Sequence, residues 1–511
     1  MKSRNQLKWG SILSYIQMIM SVIIGLVYTP IMIRLLGKNE YGLYNTVSST
    51  ISMLSVLSLG FNAGYVRFLA RYRKEQNDEK ISSLNGLYLI IFLIIGIIAL
   101  GCGLFLANNL RLVFKDGLQE EEYETAKVLM ILLSINLAIN FPMSVFSTII
   151  SANERFIFLK AIGTLRLVIN PLINLPLLLM GFKSVGLVAT TLAFEIITDV
   201  IFYYYVRVKL KNKFQFKYFE HGLFKELFAY TGFIAINIVV DLINTNVDRV
   251  LLGRYQGTAV VAVYAIGANL YAHYKSISTA ISGVFTPRIH YYYNNLDNQK
   301  ERNECLTDLF IRVGRIQFLI LMLFASGMVF FGKPFIRFWA GEGFEESYIV
   351  MLLLTIPASI PLIQNLGIEI QRAANMHQFR SIVYIIMAVL NLILTIFLCQ
   401  KYGAVGATIG TALSVLVANG LIMNIYYHRK IGINIPLFWN NIGRILLGMI
   451  PAFIVGGLIM HFVNIKTIWV LIGLIILYFL VYTTCIWNLS MNTYEKKLIK
   501  TPILKVLSKK K

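Results

Sequence analysis

Fourteen apolar stretches, each about 20 to 25 residues long, occupy most of this 511-residue chain. Their approximate extents are 11–33, 43–66, 84–107, 128–151, 157–180, 184–206, 228–252, 258–286, 306–332, 346–370, 379–400, 403–427, 441–463 and 466–488. A helix rising about 1.5 Å per residue crosses a hydrocarbon layer of about 30 Å with a run of that length. The pattern therefore predicts an all-α integral membrane protein of fourteen transmembrane helices. The first run is longer than a cleaved signal and no small-residue cleavage site follows it, so it is expected to remain. Connections are short, which excludes a sizeable extramembrane domain. With 57% apolar and only 14% charged residues, a water-soluble enzyme is excluded as well.

The net charge of +22 is the second constraint. In a soluble chain such an excess would suggest nucleic acid. Here its location along the chain matters. With the N-terminus inside, roughly thirty Lys and Arg fall in cytoplasmic segments against about eleven on the other side, the asymmetry that sets orientation in membranes. The split predicts an even number of helices, both termini cytoplasmic, in the cell membrane, and removes nucleic acid as a partner. The Lys-rich tail from Lys496 to Lys511 reads as a topology signal that also contacts anionic membrane lipid. Four scattered cysteines give no metal spacing, and no cofactor or metal is expected.

The chain also resembles itself at an offset near 220. Ala152-Asn153 and Ala374-Asn375 end the fourth and tenth runs. Asn170 and Asn391 fall in the fifth and eleventh. Val185-Gly186 with Thr191 opens the sixth run, as Val405-Gly406 with Thr411 opens the twelfth, and Leu36-Gly37-Lys38 echoes Leu252-Gly253-Arg254. A repeat of six helices inserts both copies in the same orientation, giving two parallel repeats in a two-lobed bundle. The expected division is an N-terminal lobe over 1–218, a second lobe over 219–432, and two extra helices with the basic tail over 433–511.

Several segments carry a resemblance to a known family. Asn246-Val247-Asp248-Arg249-Val250-Leu251-Leu252-Gly253, followed by Val263-Tyr264-Ala265, resembles the seventh-to-eighth helix signature of Wzx-type polysaccharide flippases. Leu35-Leu36-Gly37 with Tyr41-Gly42-Leu43-Tyr44 looks like their first-to-second helix turn, and Leu59-Gly60-Phe61 with Arg67-Phe68-Leu69-Ala70 like the end of their second helix. That branch belongs to the superfamily that also contains multidrug and toxin extruders. The resemblance implies a flippase that moves a lipid-linked oligosaccharide outward by alternating access for cell-surface polysaccharide biosynthesis.

Polar residues inside the runs are the candidate site, because a charge in hydrocarbon costs about 2.5–3.5 kcal/mol. Gln17 and Tyr28 lie on one stripe of the first run. Arg166, Asn170 and Asn174 follow helical spacing in the fifth, and Glu195 and Asp199 share a face of the sixth. Asn237, Asp241, Asn244 and Asp248 share one face of the seventh, and Asn269 and His273 one face of the eighth. These stripes predict one hydrated central cavity. Asparagine stripes also serve as plain interhelical hydrogen bonds, and Asp248 beside Arg249 reads as a structural ion pair. Arg166 suits the pyrophosphate of an undecaprenyl carrier, which a guanidinium grips with two parallel bonds, with Glu195 or Asp199 as its competing structural partner. Asparagine, glutamine and tyrosine suit sugars. Asp241, Glu195 and Asp199 are candidates for a coupling Na⁺ or H⁺.

Two other functions compete. A drug or cation extruder of the sister branch shares the fold and would favour carboxylates and aromatics over arginine. A membrane glycan polymerase or ligase needs a large external loop, whereas the longest here, about 108–127, is short and acidic. No GxSxG, HExxH or paired-carboxylate motif appears, so the chain reads as a carrier, not an enzyme.

Overall fold

The computed structural model describes residues 3–508 apart from 116 and 218–221. Asp116, Lys2, Lys509 to Lys511 and the expected lobe boundary at 218/219 lie outside the described residues. Among the described residues every regular element is helical. Among these residues eleven helices are long and apolar enough to cross a membrane, and the longest of them, Gln378–Ile431, is broken at Tyr402 and Gly403 (φ 54°) into two. The seventh and eighth runs fall on the helices Leu223–Leu242 and Thr258–Gly283, outside those eleven. Ile97, Phe105, Leu172, Phe397, Leu447, Phe462 and Trp469 are between 61% and 78% exposed. Water would penalise so much apolar surface, whereas acyl chains accept it, so the chain is a multi-pass membrane protein.

The chain divides into two compact units, one holding residues up to Ala265 together with Leu392–Ala407, the other holding Ile266–Asn391 and the residues from Thr408 onward. The first contains α1 (Ser3–Leu36), α2 (Lys38–Met53), α3 (Phe61–Lys74), α4 (Asp78–Asn108), α5 (Leu110–Phe114), α6 (Glu120–Ala152), α7 (Phe156–Leu179), α8 (Lys183–Tyr204), α9 (Leu223–Leu242) and α10 (Asp248–Tyr255). Local sequence sets several of their starts. Asn77 accepts a hydrogen bond from the Lys80 amide at the head of α4, and Gln119 with Glu122 forms a capping box at the head of α6. Inside the unit α1 packs along α7, and α6 lies between α4 and α8. The α4–α6 approach is close enough that a Cβ at Gly103 would stand 2.0 Å from Ser134 Oγ. Aromatic residues fill the core around Phe61, Tyr65, Tyr88 and Phe92, where buried Tyr65 donates to Asn85 Oδ1 at 2.7 Å.

The second unit contains most of α11 (Thr258–Gly283), then α12 (Thr286–Asn295), α13 (Gln299–Ala340), α14 (Glu346–Ile363), α15 (Leu366–Ala373), most of α16 (His377–Val415), α17 (Asn424–Tyr426), α18 (Ile435–Phe462), α19 (Ile468–Cys485) and α20 (Thr493–Ser508). The 42-residue α13 is its spine, packed against α14, α18 and α19. Phe310 and Phe438 meet at 4.9 Å between ring centroids in its core.

The duplication is written in the backbone. Left-handed residues recur at Gly37 and Gly257, at Glu154 and Asn375, and at Gly181 and Gly403, offsets of 220, 221 and 222. One pairing from the sequence is corrected. Gly37 corresponds to Gly257, not Gly253, because Gly253 lies within α10 while Gly257 carries the turn at φ 88° that a side chain would strain. Side chains repeat too: Asn170 Nδ2 lies 3.4 Å from Thr191 Oγ1, and Asn391 Nδ2 lies 3.3 Å from Thr411 Oγ1.

Candidate substrate and ion site

In the first unit α1, α7 and α8 bring together most of the residues singled out from the sequence. Gln17 lies over Gly163 of α7, where a Cβ would stand 2.9 Å from its Nε2. Asn174 donates to Asn170 Oδ1 at 2.9 Å, and Asn170 in turn reaches Thr191 on α8. Tyr28 Oη is buried beside Asn174 but outside hydrogen-bond geometry, and Asn174 Oδ1 has no partner either. The asparagine stripe thus makes interhelical bonds and still leaves two buried polar atoms without a hydrogen bond.

Arg166 donates from Nη2 to Glu195 Oε1 across α7 and α8. The pair is half-sheltered, with side chains 31% and 15% exposed. Asp199 lies one turn along α8 and interacts electrostatically with both. Its Oδ2 and Glu195 Oε2 are buried without a hydrogen-bond partner. Two carboxylates therefore share one guanidinium, and at full ionisation one negative charge remains unmatched in a medium that penalises it.

The seventh stripe is corrected. Asn237, Asp241 and Asn244 are exposed, whereas Asp248 is buried. A π-helical turn over Ile243–Val247 separates them, and its wider turn rotates Asp248 off the face a straight helix would give it. Asp248 accepts from Tyr264 Oη at 2.7 Å and from Thr395 Oγ1 at 3.5 Å, so its carboxylate is directed at these hydroxyls and not at Arg249. Asn269 and His273, on α11, belong to the second unit. Both are partly exposed, and the His273 carbonyl accepts from Ser276 Oγ at 2.7 Å.

A seam within the first unit joins segments from both sequence repeats. A Cβ at Gly42 would stand 1.8 Å from the Thr258 carbonyl oxygen, and one at Gly117 would stand 1.9 Å from that of Gly253. Arg254 Nη1 donates to the carbonyls of Leu112 and Val113 at 2.7 and 2.6 Å, Thr258 Oγ1 to Glu122 at 2.7 Å, and Gln256 Nε2 to the Gln400 carbonyl at 2.9 Å. Residue spacing along the chain carries no mark of this seam.

A duplicated helical bundle with polar helix faces and charges inside its apolar runs defines a membrane transporter of the flippase and extruder superfamily. The family described as "Polysaccharide biosynthesis protein" matches residues 8–292, more than half of the chain, and the chain belongs to it. All three signature segments read from the sequence fall inside that match, which bears out the Wzx-type resemblance. A Shigella flexneri protein named "Putative O-antigen transporter" is 21% identical over 409 residues, 78% of this chain and 91% of the relative. The solved lipid II flippase MurJ, in an inward closed conformation, superposes with a TM-score of 0.68 at 18% identity, covering 94% of this chain and 98% of that one. An inward-facing multidrug resistance MATE transporter gives 0.62 at 14% identity, covering 81% and 98%. At such identities the two structures speak for the fold alone.

Proposed function

We propose that the protein moves a lipid-linked oligosaccharide, carried on undecaprenyl pyrophosphate, outward across the cytoplasmic membrane by alternating access. In this reading both termini are cytoplasmic, and the repeats over 1–218 and 219–432 are the lobes that rock, with 433–511 appended. The observation that carries the reading is the intramembrane Arg166–Glu195 pair with Asp199 left over. The family match to polysaccharide biosynthesis and the O-antigen relative support the substrate class.

The pair supplies a way to couple the ion to the cargo. A guanidinium that would grip a diphosphate is held by Glu195 while no substrate is present. Two monovalent cations, protons or Na⁺, one for Glu195 and one for Asp199, neutralise both carboxylates and free Arg166 for the diphosphate. Asp241, exposed on α9, is a further ion candidate. Gln17, Tyr28, Asn170, Asn174, Asn237 and Asn244, with Asn269 and His273 on α11, offer the amide, hydroxyl and ring groups that sugars need.

The alternative, extrusion of a cationic drug, is favoured by the excess of carboxylate over guanidinium at α8. Reconstitution into vesicles separates the two. Translocation of a lipid-linked oligosaccharide and not of a cationic dye is expected. Transport of the dye alone would overturn the flippase reading.

A further inference from the structure

Two neighbouring helices of the second unit turn from apolar to polar together. α13 has no charged side chain between Arg315 and Lys333, and α18 has none between Arg444 and His461. At a rise of about 1.5 Å per residue the first interval is about 27 Å of helix, close to the thickness of a hydrocarbon core. The far ends of both helices therefore meet at the boundary between acyl chains and water. With both termini cytoplasmic, it is the outer boundary.

A cleft of about 610 Å³ opens there, bounded by the end of α13, the turn that follows it and the end of α18. Its charged lining is Lys333 and Arg337, one helical turn apart, with Glu342 and Glu345 from the turn and the imidazole of His461. Phe338, Met460 and Phe462 supply apolar lining, and Phe462 is 76% exposed.

These charges are not consumed by one another. Arg337 Nη2 stands 3.9 Å from Glu342 Oε1, with side chains 66% and 87% exposed, and so open a pair holds its partners weakly. Lys333 is exposed and makes no ion pair among the described residues. Other basic residues expected on the outer side are used within the chain. Arg111 holds Glu120, and Arg254 donates to the Leu112 carbonyl.

Two cations and two carboxylates at one mouth suit neither a simple anion nor a simple cation. An anionic headgroup would meet the carboxylates, and a cationic one would meet Lys333 and Arg337. A headgroup that carries both a phosphate and an ammonium matches both sets. The carboxylates also select among ammoniums, because a primary ammonium donates hydrogen bonds to them and a trimethylammonium cannot. Apolar side chains beside the charges fit a molecule whose acyl chains begin where its phosphate ends.

We propose that this cleft binds a zwitterionic phospholipid with an ethanolamine headgroup. Lys333, Arg337 and His461 face the phosphate, Glu342 and Glu345 the ammonium, and the lipid bridges the ends of α13 and α18. Only the choice of leaflet rests on the proposed orientation, and the cargo plays no part.

The test uses the full chain, delipidated in detergent and titrated separately with phosphatidylethanolamine, phosphatidylcholine and phosphatidylglycerol, with bound lipid resolved by native mass spectrometry. Wild type is expected to prefer phosphatidylethanolamine about tenfold over either of the others. Lys333→Gln combined with Arg337→Gln should lose that preference. Glu342→Gln combined with Glu345→Gln leaves two uncompensated cations and should reverse it, so that phosphatidylglycerol binds more tightly than phosphatidylethanolamine. A misfolded variant loses binding and gains none, so the reversal separates the site from a folding defect. A wild-type preference for phosphatidylglycerol or phosphatidylcholine, equal binding of all three, or the wild-type preference kept in both variants overturns the proposal. Translocation of oligosaccharide is scored in its own vesicle assay, so a failure there sinks the flippase reading without deciding the cleft.

Discussion

Arg315 of α13 and Glu495 of α20, 180 residues apart, form a two-pronged ion pair with Nε–Oε1 at 2.6 Å and Nη2–Oε2 at 3.0 Å. Both side chains are buried, at 8% and 2% exposure. The guanidinium also donates to the carbonyls of Asn441 and Ser490, and the carboxylate also accepts from the Asn492 amide. The fork fastens the start of α20 to α13, to α18 and to the turn that follows α19, all in its unit.

Glu495→Gln should therefore leave a buried guanidinium half-satisfied. Breaking one partner of a buried pair costs about 3–5 kcal/mol, whereas replacing both with apolar residues of similar volume is often near neutral. Thermal unfolding in detergent is expected to fall clearly for Glu495→Gln and to recover for Arg315→Met combined with Glu495→Leu. Equal melting of Glu495→Gln and wild type would remove the fork from the stability of the second unit.

Arg166→Ala is expected to abolish translocation of lipid-linked oligosaccharide while the protein still inserts and folds. The check is glycan display at the cell surface alongside the amount of protein in the membrane. Glycan retained at wild-type levels removes Arg166 from the cargo path.

Glu195→Gln combined with Asp199→Asn separates the ion from the anchor. The two amides keep the shape and cannot take up a proton or balance Na⁺, so Arg166 stays free whatever the gradient. Translocation in vesicles should persist and lose its response to an imposed Na⁺ or H⁺ gradient. A variant whose gradient response matches wild type places the coupling elsewhere, with Asp241 next to examine.

Much of this was legible in the chain itself. Length and apolarity of the runs gave the helices, because the bilayer imposes one thickness on all of them. Asn170 and Thr191 recurring as Asn391 and Thr411 marked a real pair of hydrogen bonds, and Glu195 was named as the competitor that now holds Arg166. Arg249 was misread because a π turn leaves no trace in residue spacing, so a stripe drawn at 3.6 residues per turn ran straight through Ile243–Val247. Gly253 was mistaken for the partner of Gly37 because Leu-Gly followed by a base looks the same inside a helix as at its end. Glu495 stood as a lone acid among lysines, a signal with no means of naming a partner 180 residues away.

The seam at Gly42 gives the last prediction. A Cβ there would stand 1.8 Å from the Thr258 carbonyl oxygen and 3.2 Å from the Ala262 amide nitrogen. Both obstacles are backbone, so relief requires moving a helix and not a side chain. Overpacking of this kind costs about 1–3 kcal/mol when the surroundings yield. Under alternating access the cost has a direction, because only the state in which α2 lies against the start of α11 feels it. Gly42→Val should shift the protein away from the closed seam and slow translocation, while Gly101→Val on α4, where a Cβ meets nothing within 4 Å, should not. A cysteine pair across the seam, Glu122→Cys with Thr258→Cys, whose native side chains hydrogen-bond at 2.7 Å, in a chain freed of its own cysteines, reports the closed state by crosslinking yield. The yield is expected to drop when Gly42→Val is added and to hold when Gly101→Val is added. An unchanged yield with Gly42→Val would mean that the seam does not open during transport.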